Sequence, residues 1–292
     1  MKKSSGLLFI FHFSLFILFF TSVKAQQTFP VNGTHDMRHT YYAFTHAHIF
    51  QDYATVLDDA TLLVKDGQII DIGANVTIPD GAVVNDCKGK TIYPSFIDLF
   101  TGYGMPALKP MPRAPTQLAS ITPGPYDWNQ AVKAQVDAQD IFHANLIEAW
   151  HYRNLGFGAT LSSQHDGIVQ GSYAFVTFAD TNDNAAIIKG KAAAGLSLNK
   201  GISTQDYPSS LMGAIALVRQ NYLDAEWYKN STHKTEFNIS LDAFNKLQDL
   251  PQVFISDDKL NVLRADKIAR EFNAKYIIRG SGDEYQLIDA IK

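Results

Sequence analysis

A single cysteine, Cys87, stands in the 292 residues, so no disulfide forms within the chain and packing alone must hold the fold together. Basic charge is also in short supply. Lys and Arg total 25 against 29 Asp and Glu, a formal net charge of -4, and that balance gives no reason to expect nucleic acid as a partner. The longest apolar run, Leu7 to Phe20 broken only by His12 and Ser14, covers about fourteen residues where a membrane span needs about twenty. A Gly-rich phosphate loop is missing as well. The alanine-rich stretch Lys191 to Lys200 lacks the preceding strand and following helix such a loop requires, and reads as a flexible connection.

What the N-terminus does contain is a leader. Met1-Lys2-Lys3, the apolar run, and Val23-Lys24-Ala25 before Gln26 have the layout of a secretory signal peptide over residues 1–25, cleaved after Ala25. The expected product is exported, periplasmic or secreted, with residues 26–40 as a linker and no membrane span after cleavage. Loss of three lysines and no acids takes its formal charge to -7. Asn32, Asn75, Asn230 and Asn238 begin Asn-x-Ser/Thr triplets, although a short basic leader ending Ala-Gln-Gln looks bacterial.

Short strands and tight turns follow. Thr61 to Lys65 is β-branched and apolar, Asp66-Gly67 is a two-residue hairpin signal, and Gln68 to Ile72 resumes an apolar strand. Pro79-Asp80-Gly81 and Lys88-Gly89-Lys90 mark further turns, flanking strands at Ala82 to Asn85 and Thr91 to Tyr93. After Pro94 the run Ser95 to Phe100 is almost continuously apolar, as expected of a parallel strand buried on both faces. The architecture therefore changes near residue 92.

The stretch KDGQIIDIGANVTIPDGAVVNDCKGKTIYPSFIDLFTGYG, Lys65 to Gly104, resembles the entry to the amidohydrolase superfamily, its imidazolonepropionase-like and dihydroorotase-like members in particular. There a small β-sandwich with a DG-(R/K)-I-x-x-(I/V)-G hairpin and a D-x-x-G-K-x-(V/I)-x-P-G approach leads into the first strand of a (β/α)8 barrel. The resemblance implies an α/β chain with a small β-sandwich over residues 41–92, followed by a TIM-type barrel from residue 93. It also implies a hydrolase of C–N bonds in cyclic amides, with zinc or another divalent metal as cofactor.

The same residues depart from the family where the metal belongs. Its first barrel strand ends Pro-Gly-x-Ile-Asp-x-His-x-His, the histidines binding metal. Here the segment from Pro94 reads PSFIDLFTG, with Phe100 and Gly102 in the histidine positions. Neither a phenyl ring nor a hydrogen donates a lone pair to a metal. Gln252 to Ser256 and Tyr276 to Gly280 resemble later barrel strands on which the family places single histidines. Ser256 and Arg279-Gly280 stand there instead, and no histidine follows His233. A degenerate site without metal is expected, with no assignable catalytic residue. Thr45-His46-Ala47-His48-Ile49 has His-x-His spacing but precedes the hairpin, and reads as two polar positions on the exposed face of an antiparallel strand.

Beyond the first barrel strand, Pro106 to Pro125 reads as a long loop over the barrel mouth, and Ala131 to Leu155, free of proline and glycine, as a helix. Ala159 to Ser163 reads as the second strand, resembling the family's G-(V/I)-T-T, and Gln164 to Gly171 with the β-rich Ser172 to Ala179 resemble an inserted pair of strands in imidazolonepropionase-like proteins. His165 and Asp166, at the C-terminal end of the second strand, are the best pocket candidates, beside the plainer reading of a turn made by Asp166 and Gly167. A helix opening near Pro208 or Ser209 should bury Leu211, Ile215, Leu217, Val218 and Tyr222 as core. Helices from about Leu241 and Leu260 alternate with strands at Val253 to Ile255 and Tyr276 to Ile278, and Ser281-Gly282-Asp283 reads as the cap of a last helix.

That makes about four barrel strands rather than eight over residues 93–292. An incomplete barrel is expected, the N-terminal part of a longer polypeptide, with a C-terminal continuation or second amidohydrolase module as partner. Three functions fit: a catalytically degenerate module of a longer exported hydrolase; an active metal-dependent hydrolase with unusual ligands drawn from His46, His48, His143, His151 or His165; or a binding module for a small-molecule ligand without catalysis.

Overall fold

The computed structural model describes residues 40–113, 120–231 and 236–291. The leader over 1–25, and the linker over 26–40 apart from Thr40, lie outside the described residues. The chain divides into two compact units between Pro94 and Ser95.

The first unit is a five-stranded sheet: β1 (Tyr42–Phe50), β2 (Val56–Lys65), β3 (Gln68–Gly73), β4 (Val83–Asp86) and β5 (Thr91–Ile92). The order is β3-β2-β1-β4, with β5 also on β1. Asp66 and Gly67 close the β2–β3 hairpin with φ of 50° and 74°, the paired positive φ of a type I′ turn, which the Asp-Gly dipeptide accommodates at low cost. Strand β1 differs from its sequence reading, because it pairs antiparallel with β2 but parallel with β4 and β5. Its alternate residues Ala47 and Ile49 pack with Ala60 and Cys87, so the lone cysteine serves as a core residue.

The second unit runs β6 (Phe96–Thr101), α1 (Ala138–Ile141), α2 (Leu146–Asn154), β7 (Phe157–Ser162), β8 (Val169–Thr177), α3 (Asp183–Ala186) and β9 (Ile187–Ser197). It continues with α4 (Leu211–Asn230), α5 (Ile239–Leu247), β10 (Gln252–Ile255), α6 (Lys259–Glu271), β11 (Tyr276–Arg279) and, after a 3-10 turn at Glu284–Leu287, α7 (Ile288–Ile291). Its strands form one sheet in the order β11-β10-β9-β8-β7-β6. Only β8 runs against its neighbours; the pairs β6–β7, β9–β10 and β10–β11 are parallel. The incomplete barrel is thus one curled sheet, with helices in every connection except that from β7 to β8.

Several sequence readings change in this unit. The helix expected over Ala131 to Leu155 is present only as α1 and α2. Residues 131–137 instead lie along β8, bridging Val132 to Val169 and Asp137 to Ser172, with Lys133 N donating to Val169 O at 2.7 Å. A neighbouring strand satisfies the backbone there, and helical propensity yields to it. The supposed flexible connection Lys191 to Lys200 is largely β9, with Ala193 to Ser197 buried. Small residues are required at that point: a Cβ on Gly195 would sit 2.3 Å from Tyr173 Oη and 2.6 Å from Gln170 Oε1. In β6, Phe96, Ile97 and Leu99 are exposed rather than buried, because β6 is an edge strand. Finally, Asp283 makes no side-chain cap; Glu284 accepts from Ser281 N and Gly282 N in its place.

Helix α4 anchors the main core. Ser210 caps it by accepting from Gly213 N at 3.2 Å, and its buried Ala214, Leu217, Val218 and Tyr222 pack with Leu241 and Phe244 of α5 and Phe254 of β10. Each such large side chain contributes about 1.5–3 kcal/mol when fully buried. Leu211, expected in this core, is exposed on the first turn.

Candidate functional site

The C-terminal ends of β6, β7 and β11 bring Phe100, His165 and Arg279 together. The rings of Phe100 and His165 stack with centroids 3.8 Å apart and planes 22° from parallel. Arg279, the last residue of β11, places its guanidinium Cζ 4.7 Å from the Phe100 ring centroid. Phe100 and Arg279 are two positions where the resemblance expects metal-binding histidines. A cation held over an aromatic face stands at this strand-end cluster instead.

His165 is fixed on every side. Its backbone lies in the left-handed region, φ 51°, which aims the ring back toward β6. Nε2 donates to the Thr101 carbonyl at 2.9 Å, which sets the tautomer, because a carbonyl only accepts. Nδ1 accepts from the Ser163 hydroxyl at 3.1 Å, with Tyr173 Oη 3.3 Å away and itself donating to Gln170 Oε1 at 2.6 Å. Burial lowers the pKa of His165; the Thr101 carbonyl opposes that, and the Arg279 charge adds to it. The imidazole is therefore neutral at pH 7, with both nitrogens engaged.

These residues do not fit a divalent metal. Phe100 has no lone pair to give, Gly102 has no side chain, and Arg279 brings positive charge where a cation would have to sit. Ser256 is buried and donates its hydroxyl proton to Asp258 O at 2.7 Å. A Cβ at Gly102 would meet only Ser163 O, at 3.9 Å, so space does not forbid a side chain there.

Asp166 bonds to residues other than His165. Its Oδ2 forms an ion pair with Lys133 and its Oδ1 accepts from Ile202 N at 2.9 Å, so it clasps the loop after β9 to the loop after β7. The cavity lined by both His165 and Asp166 measures about 20 Å³, room for a water and not for a substrate.

The other described histidines each have a separate neighbour. His46 pairs with Asp86 at 3.1 Å, His48 with Asp58, and His143 with Asp183 at 3.1 Å, while His151 is exposed on α2 with its ring against Trp150. Among the described residues no three His, Cys, Asp or Glu side chains converge as a metal site would require.

Sequence reasoning missed a larger cavity of about 430 Å³ beside Asp166, walled by the described parts of the Pro106 to Pro125 loop and by residues 126–136. Asp127 and Gln130 line it and are 6% and 4% exposed. Burial pushes the Asp127 carboxyl up to about 6, against the bond it accepts from Asn129 N at 2.8 Å. Gln130 Oε1 accepts from Thr204 N at 3.2 Å and lies 3.4 Å from the Ser203 and Thr204 hydroxyls, which fixes the amide orientation. Its Nε2 is buried without a partner among the described residues. The sequence offers one local signal: the polar residues Asp127, Asn129 and Gln130 fall within four positions beside Tyr126 and Trp128.

No protein-family model matches this sequence, and no curated protein matches it significantly. Among solved structures, an amidohydrolase from Thermotoga maritima MSB8 superposes with a TM-score of 0.66 at 20% identity, over 86% of this chain and 67% of its own. A prolidase complexed with N-methylphosphonate-L-proline matches at 11% identity over 81% of this chain and 65% of its own, with a TM-score of 0.34. A D-hydantoinase from Thermus sp. matches at 13% identity over 81% and 57%, with a TM-score of 0.29. The last two superpose too loosely to bear on the fold. The chain spans about two thirds of the length of the Thermotoga protein and less of the other two. Over that span its fold is that of the Thermotoga amidohydrolase.

Proposed function

We propose that this chain is a catalytically degenerate amidohydrolase-fold module of an exported protein, one that holds no catalytic metal. The observation that carries the reading is the Phe100–His165–Arg279 stack. Two positions expected to supply imidazoles supply a phenyl ring and a guanidinium, and the nearby imidazole has both nitrogens bonded. Without a Lewis acid no metal-bound hydroxide can form at these strand ends. Export rests on the leader pattern of residues 1–25.

The module is proposed to act against further polypeptide, a C-terminal continuation or a second amidohydrolase module. Its edge strands support this: β6 exposes Phe96 and Leu99, and β11 exposes Ile277, beside backbone groups without strand partners on their outer sides among the described residues. The test is hydrolysis of a cyclic amide such as hydantoin by the purified chain, with and without added zinc. No turnover is expected in either case. Turnover that requires zinc and disappears in His165→Asn would overturn the proposal.

A further inference from the structure

We propose that these strand ends, unfit for a metal cation, bind a small oxyanion, a carboxylate or a phosphate, on the Arg279 guanidinium. This rests on the metal-free reading, since a divalent cation and a guanidinium would repel each other there.

Two observations carry it. The first is a set of donors without acceptors. Arg153 donates to the Phe178 carbonyl, Arg219 to Glu271, Arg264 to Asn261 and Arg270 to Asp266, so the other arginines of helices and strands are spent within the fold. Arg279 is exposed at the end of β11, and among the described residues its guanidinium makes no hydrogen bond and no ion pair. The Phe100 ring lies against it, 4.7 Å from Cζ to centroid, and restrains it without accepting an ordinary hydrogen bond. The residues of this unit outside the described ones, 114–119, 232–235 and 292, include no Asp or Glu.

The second is that nothing in the cluster neutralises the charge. Phe100 has no acceptor, both nitrogens of His165 are engaged, and the neighbouring Ser256 gives its hydroxyl proton to Asp258 O. Phe100, His165 and Arg279 therefore carry one positive charge together and no negative one, and that charge disfavours a proton on His165. A guanidinium presents its N–H groups as a planar fork, which two oxygens of a carboxylate or phosphate meet in parallel. A cation is repelled there, and a neutral ligand leaves the charge unpaired. The C-terminal ends of barrel strands are also where this architecture places its ligand contacts.

The test is titration of the full chain at pH 6.5 in EDTA with sodium phosphate, acetate and succinate, at an ionic strength held constant with sodium chloride. Binding is followed by calorimetry and by the Arg279 Nε–H resonance. At least one of the three anions should bind saturably and move that resonance, and Arg279→Met should weaken its Kd about tenfold or more. Arg279→Lys, which keeps the charge and loses the fork, should fall between the two. Saturation by phosphate alone assigns a phosphate site; saturation by acetate or succinate assigns a carboxylate site. Thermal melts show whether the variants fold, and the parent's own Arg279 resonance answers without them. No saturable anion, saturation that leaves the Arg279 resonance in place, or an unchanged Kd in folded Arg279→Met would overturn the inference. Stoichiometric zinc uptake in a parallel sample without EDTA would contradict the metal-free reading, whereas failed anion binding with no zinc uptake removes this inference alone.

Discussion

Arg279 lies over the ring of Phe100, its guanidinium carbon 4.7 Å from the ring centroid, and His165 stacks on the same ring with centroids 3.8 Å apart. Burial lowers the basicity of the imidazole, and the Arg279 charge adds to that effect. Arg279→Met should raise the His165 pKa, and an NMR titration of the imidazole reads this directly. The same spectra should report the Nε2–H tautomer at pH 7, as the Thr101 bond demands.

A consequence for stability follows from the sign of that shift. His165 binds a proton less readily folded than unfolded, so the fold loses stability as pH falls below the unfolded value of about 6.5 toward the lowered folded one. His165→Asn removes the titrating group and tolerates a φ of 51°. Denaturant melts between pH 7.5 and 5 should show a smaller loss for the variant than for the parent.

Asp127 behaves in the opposite sense. Its folded pKa is raised from 3.8 to about 6, so the folded chain holds the proton more tightly and stability declines as pH rises between those values. The ionised carboxylate costs of order 3 kcal/mol at neutral pH. Asp127→Asn should flatten this part of the pH profile, with its gain largest above pH 6. A profile parallel to the parent's across pH 4 to 7 would contradict a buried, destabilised carboxyl.

Lys133 and Asp166 form a pair with side chains only 17% and 3% exposed, and Asp166 also holds Ile202 N. Removing one partner leaves a buried charge alone. Lys133→Met is expected to lower unfolding free energy by about 3–5 kcal/mol, measured by urea titration. A loss under about 1 kcal/mol would place the pair among weak surface ion pairs.

Much of this was legible in the sequence, and the failures have physical causes. The Asp66-Gly67 turn was readable because local chemistry decides it. Strand β9 was misread because the alanines and glycines that let Tyr173 and Gln170 approach its backbone have the composition of a linker. Residues 131–137 were misread because a tertiary partner, β8, satisfies their backbone. The resemblance placed Phe100 and Arg279 where the family has histidines, but their contact is long-range and only the fold brings it about. Asp166 was readable as a pocket or turn residue, whereas its bonds to Lys133 and Ile202 N are long-range, and Gln130 carried no motif at all.

Metal content tests the central claim most directly. Elemental analysis should be made on the folded chain, purified without a metal-affinity tag, incubated with zinc and then dialysed. The account predicts far less than one zinc, manganese or iron per chain, and no more in His165→Asn; a stoichiometric metal that His165→Asn removes would contradict it.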